Sequence, residues 1–113
     1  MARILLISPD ATKRLVIEPA LYADGHYIRM VESAGDAIDL LGEENFDVVI
    51  CDTQLPDLQS RVMMRHIKEV YGLPTIVLGD HSQFRHHWLS LRPREMHTQV
   101  DCQSLMRMVH RYV

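Results

Sequence analysis

An aspartate, Asp52, ends an apolar run of strand-forming residues, Val48 to Cys51, and the loop sequence Thr53-Gln-Leu-Pro-Asp57 follows it directly. The run has no polar alternation, which is typical of a strand covered on both faces in a parallel sheet. In open α/β sheets, ligands bind just beyond the carboxyl ends of such strands. We therefore predict that Asp52 lies at a functional edge, and that its reactivity depends on the groups that other elements bring to it.

Further side chains with ligand or charge chemistry lie in the C-terminal third. A zinc site made by His81, His86 and His87 is disfavoured, because their spacing on a helix does not bring three nitrogens together and Cys102 is not near them in sequence. The same third holds five arginines: Arg85, Arg92, Arg94, Arg107 and Arg111. No nucleic-acid recognition motif accompanies them and the net charge is −3, which favours a solvated surface over a nucleic-acid interface.

The bulk properties are those of one soluble domain, residues 1–113. The chain has two cysteines, and one of them lies in the apolar run before Asp52, so we expect a reducing, cytoplasmic environment and no disulfide framework. The apolar run after the N-terminal Met-Ala-Arg is too short for a signal peptide or a membrane span.

The elements that would position Asp52 alternate between strands and helices. The predicted strands are Arg3–Ile7, His26–Val31, the run ending at Asp52, Thr75–Leu78 and Glu95–Val100. The predicted helices start near Ser8, Ser33, Leu58 and Asp101, and Ser8, Ser33 and Asp101 are predicted to cap them. Five βα repeats imply a parallel sheet with right-handed crossovers. We predict a doubly wound, flavodoxin-like α/β fold with five parallel strands in the order 2-1-3-4-5 and helices on both faces.

Apolar periodicity predicts which helix faces are buried. In the first helix it places Leu15, Tyr22 and Ala23 inward, with Pro19 expected to kink or shorten the helix and Gly25 to end it in a left-handed conformation. The later helices are predicted to turn inward Ala37, Ile38, Leu41, Val62, Met63, His66, Ile67, Val70, Leu105, Met108, Val109 and Tyr112.

The segment after the fourth strand allows two interpretations. Phe84, Trp88 and Leu91 recur at helical spacing, so a short helix is expected there, broken by the sequence Arg92-Pro-Arg94. These apolar residues could belong to the core, or they could mark an interface, because tryptophan is enriched at binding hot spots.

Taken together, these residues resemble the receiver domain of bacterial two-component response regulators. The sequence Phe46-Asp-Val-Val-Ile-Cys-Asp-Thr-Gln-Leu-Pro-Asp57 looks like the family's third strand, phosphoacceptor aspartate and following loop. Arg3–Ile7 is similar to the first strand and Leu73–Leu78 to the fourth. The resemblance covers nearly the whole chain and implies phosphoryl transfer to Asp52, assisted by Mg²⁺.

The resemblance also predicts that most of the family's reactive set is replaced. The acidic pair after the first strand falls on Ser8-Pro9, the hydroxyl residue after the fourth strand falls on Gly79, and the lysine after the fifth falls on Thr98. Asp52 is then expected to have no acidic neighbour, no ammonium group and no hydroxyl beside it. Asp10 is one place further on and could partly substitute as a metal ligand together with Asp52.

These replacements favour a degenerate receiver over a working one. Losing one transition-state contact costs roughly 3 kcal/mol, so the loss of three would be severe. We therefore expect a non-enzymatic signalling module that needs no cofactor and binds a protein partner, which could be a histidine kinase, an effector domain or itself. The alternative is a functional receiver phosphorylated on Asp52, with Mg²⁺ held by Asp10 and Asp52.

The resemblance also implies where a partner would bind. In receivers the surface formed by the fourth helix, fifth strand and fifth helix is the usual dimer or effector face, and here that segment is basic. The expected interface, which could support a homodimer, comprises Phe84, Trp88, Arg107 and Arg111. Neither a membrane nor direct nucleic-acid contact is expected for this domain.

Overall fold

The computed structural model describes residues 1–79, 88–90 and 102–113. Its strands are β1 (Arg3–Ile7), β2 (Tyr27–Val31), β3 (Val48–Asp52), β4 (Thr75–Gly79) and β5 (Trp88–Ser90). They form one sheet in the order β2-β1-β3-β4-β5, and every neighbouring pair is parallel. The parallel sheet confirms the predicted α/β class and brings the carboxyl ends of β1, β3 and β4 to one edge.

The helices are α1 (Ala11–Ala23), α2 (Ala34–Leu41), α3 (Ser60–His66) and α4 (Cys102–His110). A π-helical turn, Ile67–Tyr71, continues α3. In the described part of the chain, no helix combines the length and the apolarity needed to span a bilayer.

The helices cover both faces of the sheet and enclose two apolar cores. On one face, Ile17 and Leu21 of α1 pack with Leu105 and Val109 of α4. The core on the other face is built by residues of α2 and α3 together with Phe46. The two faces explain why β3 lacks polar alternation, because all five of its residues are buried.

The inward face of α1 differs from the prediction. Leu15 and Tyr22 are 72% and 73% exposed, and Ala23 is exposed as well. The buried residues are Ile17 and Leu21. Successive residues turn by roughly 100° around a helix, so Leu15 lies about 200° from Ile17 and points away from the core.

Parts of the predicted faces of α2 and α3 are also wrong. Ile38, Val62 and Val70 are exposed by more than a third of their surface. In α2 the buried residues are Ala34, Ala37, Leu40 and Leu41; around α3 they are Ser60, Met63 and Ile67. Val70 lies in the π-helical turn that follows α3, where the residue period changes. Ile38 and Val62 lie in short helices, and few turns leave the phase of a periodic pattern poorly fixed.

The fifth strand lies elsewhere than predicted. Trp88–Ser90 pairs in parallel with β4, where Val77 is opposite Trp88, so this stretch is a strand and not part of a short helix. Pairing with the sheet edge overrides the local helical spacing of the apolar residues. The predicted strand Glu95–Val100 lies outside the described residues.

Two predictions about the ends of helices are confirmed and one is corrected. Gly25 has φ 85° and so adopts the left-handed conformation expected after α1. Ser33 caps α2 by accepting a hydrogen bond from the Asp36 N–H. The cap of α1 is Asp10 and not Ser8, because the Asp10 carboxylate accepts hydrogen bonds from the first-turn backbone.

Candidate functional site

Asp52 lies at the carboxyl end of the central strand, as the sequence predicts. It is the last residue of β3 and only 1% exposed. The strand β1 runs on one side of β3, and β4 runs on the other with Leu78 opposite Asp52. A carboxylate this deeply buried is stable as an anion only if hydrogen bonds and a positive charge replace its water shell.

The described structure supplies both kinds of partner. The Ser8 hydroxyl donates to Asp52 Oδ2 at 2.8 Å, and the Gln54 N–H donates to Oδ1 at 3.2 Å. The Lys13 ammonium lies 3.1 Å from both carboxylate oxygens. Its side chain is 21% exposed, so the ion pair sits at the mouth of a largely closed site.

The β1–α1 connection positions these groups. Ser8 follows β1 directly and is fully buried, and its hydroxyl also accepts a hydrogen bond from the Asp10 N–H at 3.2 Å. Asp10 Oδ1 in turn accepts from the N–H groups of Thr12 and Lys13 at 2.9 and 3.3 Å. This cap fixes the first turn of α1, and Lys13 therefore projects from that turn onto Asp52.

The expectation that no ammonium and no hydroxyl stand beside Asp52 is wrong. The family resemblance places the lysine after the fifth strand, whereas Lys13 comes from the first helix. One signal in the sequence could have found it. A lysine in the first helical turn is disfavoured by the helix dipole, so its presence after β1 suggests a nearby carboxylate.

The loop after β3 is anchored at two points. The Ser60 hydroxyl, which is buried, donates to the Asp52 main-chain carbonyl at 2.7 Å. The Asp57 carboxylate accepts from the N–H groups of Ala34 and Gly35, at 2.9 and 2.8 Å, at the start of α2. Hydrogen bonds from Gly35 and then Ala34 lower the pKa of Asp57 below 3.8. The loop is thereby tied to β3 and to α2.

Comparison with known proteins identifies the fold. No protein-family model matches the chain. An 80-residue stretch is 32% identical to the DNA-binding transcriptional regulator NtrC of Proteus hauseri, covering 70% of this chain and 17% of that protein. Protein PilH of Pseudomonas aeruginosa is 29% identical over 86 residues, which are 74% of this chain and 71% of PilH.

Solved structures agree. The chemotaxis response regulator CheY4 of Vibrio cholerae superposes with a TM-score of 0.82 at 16% identity, covering 100% of this chain and 99% of CheY4. The response regulator TrrA of Thermotoga maritima, solved in complex with Mg²⁺ and BeF, gives 0.81 at 18% identity and covers 100% of both chains. The chain therefore has the fold of response-regulator receiver domains, and its sequence is similar to those of the regulators NtrC and AfsQ1.

The stretch matched in the first relatives accounts for only part of their length. The matched stretch spans 17% of NtrC and 35% of the transcriptional regulatory protein AfsQ1 of Streptomyces coelicolor, to which it is 32% identical.

Two of the replaced receiver positions can be assessed. Gly79 is the last residue of β4, which extends one residue beyond its predicted end at Leu78, and it lies at the carboxyl end of the strand as expected. The assignment of Thr98 as the position after the fifth strand does not agree with the structure, because β5 ends at Ser90. Along the chain, the first basic residue after β5 is Arg92, while residues 91–101 lie outside the described part.

The predicted partner interface is described only in part. Phe84 lies outside the described residues, and for Trp88 the structure describes only the main chain, which belongs to β5. Arg107 lies on α4 and Arg111 directly follows it, and both are exposed. Arg107 donates to the Ser104 hydroxyl at 2.9 Å. The interface therefore stays a prediction.

Cys51 directly precedes Asp52, and its environment makes the thiol unreactive. Burial, and then the negative charge of Asp52, raise the pKa of its thiol to about 12. The thiolate is the reactive form of cysteine, so a thiol with this pKa is almost entirely unreactive at neutral pH.

The residues around Asp52 do not fit a magnesium ion. Mg²⁺ requires oxygen ligands in near-octahedral geometry. Pro9 has no side-chain oxygen, the Asp10 carboxylate caps α1, and the Lys13 ammonium contacts both oxygens of Asp52. A divalent cation would have to displace Lys13 and would then lie close to a like charge.

Proposed function

We propose that this chain is an atypical receiver domain that acts by binding a protein partner and does not use Mg²⁺-dependent phosphorylation of Asp52. The observation that carries the proposal is the contact of the Lys13 ammonium with both carboxylate oxygens of Asp52, at 3.1 Å each. In this arrangement a side chain of the protein supplies the positive charge that the working family takes from a metal.

The hydrogen-bond count at Asp52 supports the same conclusion. An ionised carboxylate has about four lone-pair directions. Oδ1 accepts from Gln54 and Lys13, and Oδ2 accepts from Ser8 and Lys13. With two donors on each oxygen, Asp52 has no lone pair left to attack a phosphoryl donor unless one of these contacts opens.

One observation favours the alternative, a phosphoacceptor at Asp52. A lysine beside the acceptor could follow the developing charge and contact the phosphoryl oxygens, since phosphoryl transfer depends mainly on positioning and charge neutralisation. Lys13 is 21% exposed, so it could swing outward to do so. In this alternative Asp10 and Asp52 would bind Mg²⁺, which requires the contact between Lys13 and Asp52 to open.

An NMR titration separates the two functions. Amide spectra of the protein are recorded with increasing Mg²⁺, and then with Mg²⁺ and beryllofluoride. We expect no saturable shift at the amides around Asp52, with wild type and D52N responding alike. A saturable shift that D52N abolishes would establish a phosphoacceptor site and reject the proposal.

A second variant tests whether Lys13 is what prevents Mg²⁺ from binding at Asp52. If its ammonium excludes the metal, K13D removes the positive charge and adds a carboxylate at the site. We expect K13D to gain Mg²⁺-dependent shifts at the amides near Asp52, whereas K68D, at an exposed lysine after α3, gains none there. A K13D protein that folds but stays insensitive to Mg²⁺ would contradict this role of Lys13.

The partner surface is proposed at the C-terminal side, where Arg107 and Arg111 are exposed. A second copy of the chain is one partner that can be tested directly by sedimentation equilibrium. We expect concentration-dependent dimers that R107E with R111E weakens. A monomer at all concentrations would remove the homodimer and leave a kinase or an effector domain as the partner.

A further inference from the structure

The side chains of Asp24, His26 and His110 contact one another at the end of the sheet opposite to Asp52. Asp24 directly follows α1, His26 directly precedes β2, and His110 is the last residue of α4. Asp24 Oδ2 lies 2.7 Å from His26 Nε2 and 2.6 Å from His110 Nε2. These residues lie at the amino end of β2, whereas Asp52 lies at the carboxyl end of β3.

We propose that Asp24, His26 and His110 form a proton-dependent latch, in which protonation of His110 fastens the C-terminal end of α4 to the turn between α1 and β2. The inference does not depend on the proposed function, because no residue of the Asp52 site takes part. It gives this receiver domain an input through pH at the helix that carries Arg107 and Arg111.

The fixed half of the latch is His26. Its side chain is buried, and its Nδ1 accepts a hydrogen bond from the Ala2 N–H at 3.0 Å. The ring proton must therefore be on Nε2, where it is donated to Asp24. A second proton on this ring would have to go to Nδ1 and would meet the Ala2 N–H, so two donors would face each other.

The direction of the hydrogen bonds to the His26 ring also argues against a metal ion at this cluster. These three residues are near enough to one another to suggest a cation site. A histidine bound to metal through Nε2 carries its proton on Nδ1 and donates it to an acceptor. His26 faces a donor there, the Ala2 N–H, so a metal would break this hydrogen bond as well as both contacts to Asp24.

The exposed half of the latch is His110. Its side chain is 56% exposed, so it can exchange protons with solvent. The groups facing it across the interface are Asp24 and the His26 ring, whose centroid lies 6.3 Å away; on its own side are Arg107 and Arg111. An imidazolium at the end of α4 faces both an anion and the negative end of the helix dipole.

The Asp24 carboxylate must be ionised for the latch to hold. Hydrogen bonds from His110 and then His26 lower the pKa of Asp24 below 3.8. A lowered pKa stabilises the folded state at pH values above about 3.8, and this contribution is lost as the pH falls through the folded-state value. The latch therefore requires a pH above this range, where the Asp24 carboxylate is ionised in the folded protein.

Amide hydrogen exchange of α4, corrected for the intrinsic effect of pH, tests the proposal. Exposed ion pairs and charge at helix ends change equilibria roughly two- to fivefold. We expect the protection factors of α4 to be higher by this factor at pH 5.5 than at pH 8. H110Q, which can still donate an N–H to Asp24 but does not titrate, should lose this pH dependence, and so should D24N.

The matched control is D39N, at an exposed aspartate of α2, which should keep the wild-type pH dependence. If H110Q or D24N behaves as wild type, the latch is wrong. Repeating the wild-type measurement with Zn²⁺ tests the metal. A saturable gain in α4 protection that H110Q removes would overturn the proton latch, and no gain would support it.

Discussion

At the scale of single residues, the ion pair between Lys13 and Asp52 is the central contact at the carboxyl end of β3. A carboxylate that is 1% exposed needs compensation, and Lys13, Ser8 and the Gln54 N–H provide it. The pair therefore contributes to the stability of the folded state, and in the proposed function it also excludes a metal. Both roles rest on one ammonium group, which makes them testable with the same substitution.

Removing the ammonium should destabilise the protein. K13M leaves the buried Asp52 carboxylate without a cation, which costs about 3 kcal/mol. In the double variant K13M/D52N the charge is also gone, so stability should return to within about 1 kcal/mol of wild type. Urea unfolding measures these free energies. K68M, at an exposed lysine, is the control and should change stability by less than about 0.5 kcal/mol. If K13M behaves like K68M, the ion pair does not stabilise the fold.

The reactivity of the Cys51 thiol tests the environment of β3, the strand that ends at Asp52. With a pKa of about 12 and no exposed surface, Cys51 should resist alkylation by iodoacetamide at pH 8. In denaturant it should react at the rate of an ordinary cysteine. Peptide mass spectrometry distinguishes Cys51 from the partly exposed Cys102. Fast labelling of Cys51 in the folded protein would show that β3 opens easily.

At the scale of elements, α1 positions Lys13 and depends on its cap and on one buried face. The Asp10 carboxylate fixes the first turn, and Ile17 and Leu21 fix the rotation of the helix against the sheet. Any other rotation would move Lys13 away from Asp52. The exposed apolar residues of this helix contribute little to that placement.

Two identical substitutions on α1 should therefore differ strongly. L21A empties a fully buried site and should cost about 3 kcal/mol. L15A changes a side chain that is 72% exposed and should cost less than about 0.5 kcal/mol. Chemical denaturation of both variants measures the difference. Equal costs would mean that α1 is rotated so that Leu15 is buried as deeply as Leu21.

The start of α2 should respond to acid through Asp57. Its pKa is lowered by the N–H groups of Gly35 and Ala34, so its stabilising contribution is present above about pH 3.8 and is lost as the pH falls through the folded-state value. We expect wild type to lose more stability than D57N between about pH 5 and pH 3. Urea unfolding across this range measures it, with D39N as the control. Parallel losses in wild type and D57N would rule out this anchor.

At the scale of the whole molecule, the sheet separates two sites and two cores. The site at Asp52 lies at the carboxyl edge, and the cluster of Asp24, His26 and His110 lies at the amino edge. α4 belongs to the core that it shares with α1, whereas α2 and α3 form the other core. The cluster of Asp24, His26 and His110 therefore contacts the C-terminal helix α4 directly, and no residue of the Asp52 site takes part in this contact.

The two cores should behave independently when truncated. Leu105 lies on one face of the sheet and Leu40 on the other. L105A and L40A should each cost about 3 kcal/mol, and the double variant should cost their sum to within about 0.5 kcal/mol, because the sites share no partners. Urea unfolding of the three variants measures this. A coupling energy above about 1 kcal/mol would show that the sheet transmits strain between its faces.

The sequence alone determined the alternation of strands and helices, the burial of β3 and the position of Asp52 at its carboxyl end. These follow from local patterns, namely continuous apolar runs, caps and glycines, which act within one element and need no knowledge of its neighbours. The replacement of the acidic pair by Ser8-Pro9 could also be seen in this way, because it follows directly after β1.

Only the tertiary structure decided what surrounds Asp52 and which way the helices turn. Lys13 reaches Asp52 across 39 residues of chain, and His110 reaches Asp24 across 86, so no local pattern contains either contact. The rotation of α1 and the place of β5 likewise depend on packing and on pairing at the edge of the sheet. Contacts between residues far apart in sequence are fixed by the assembled fold, and here they include the contacts of Lys13 with Asp52 and of His110 with Asp24.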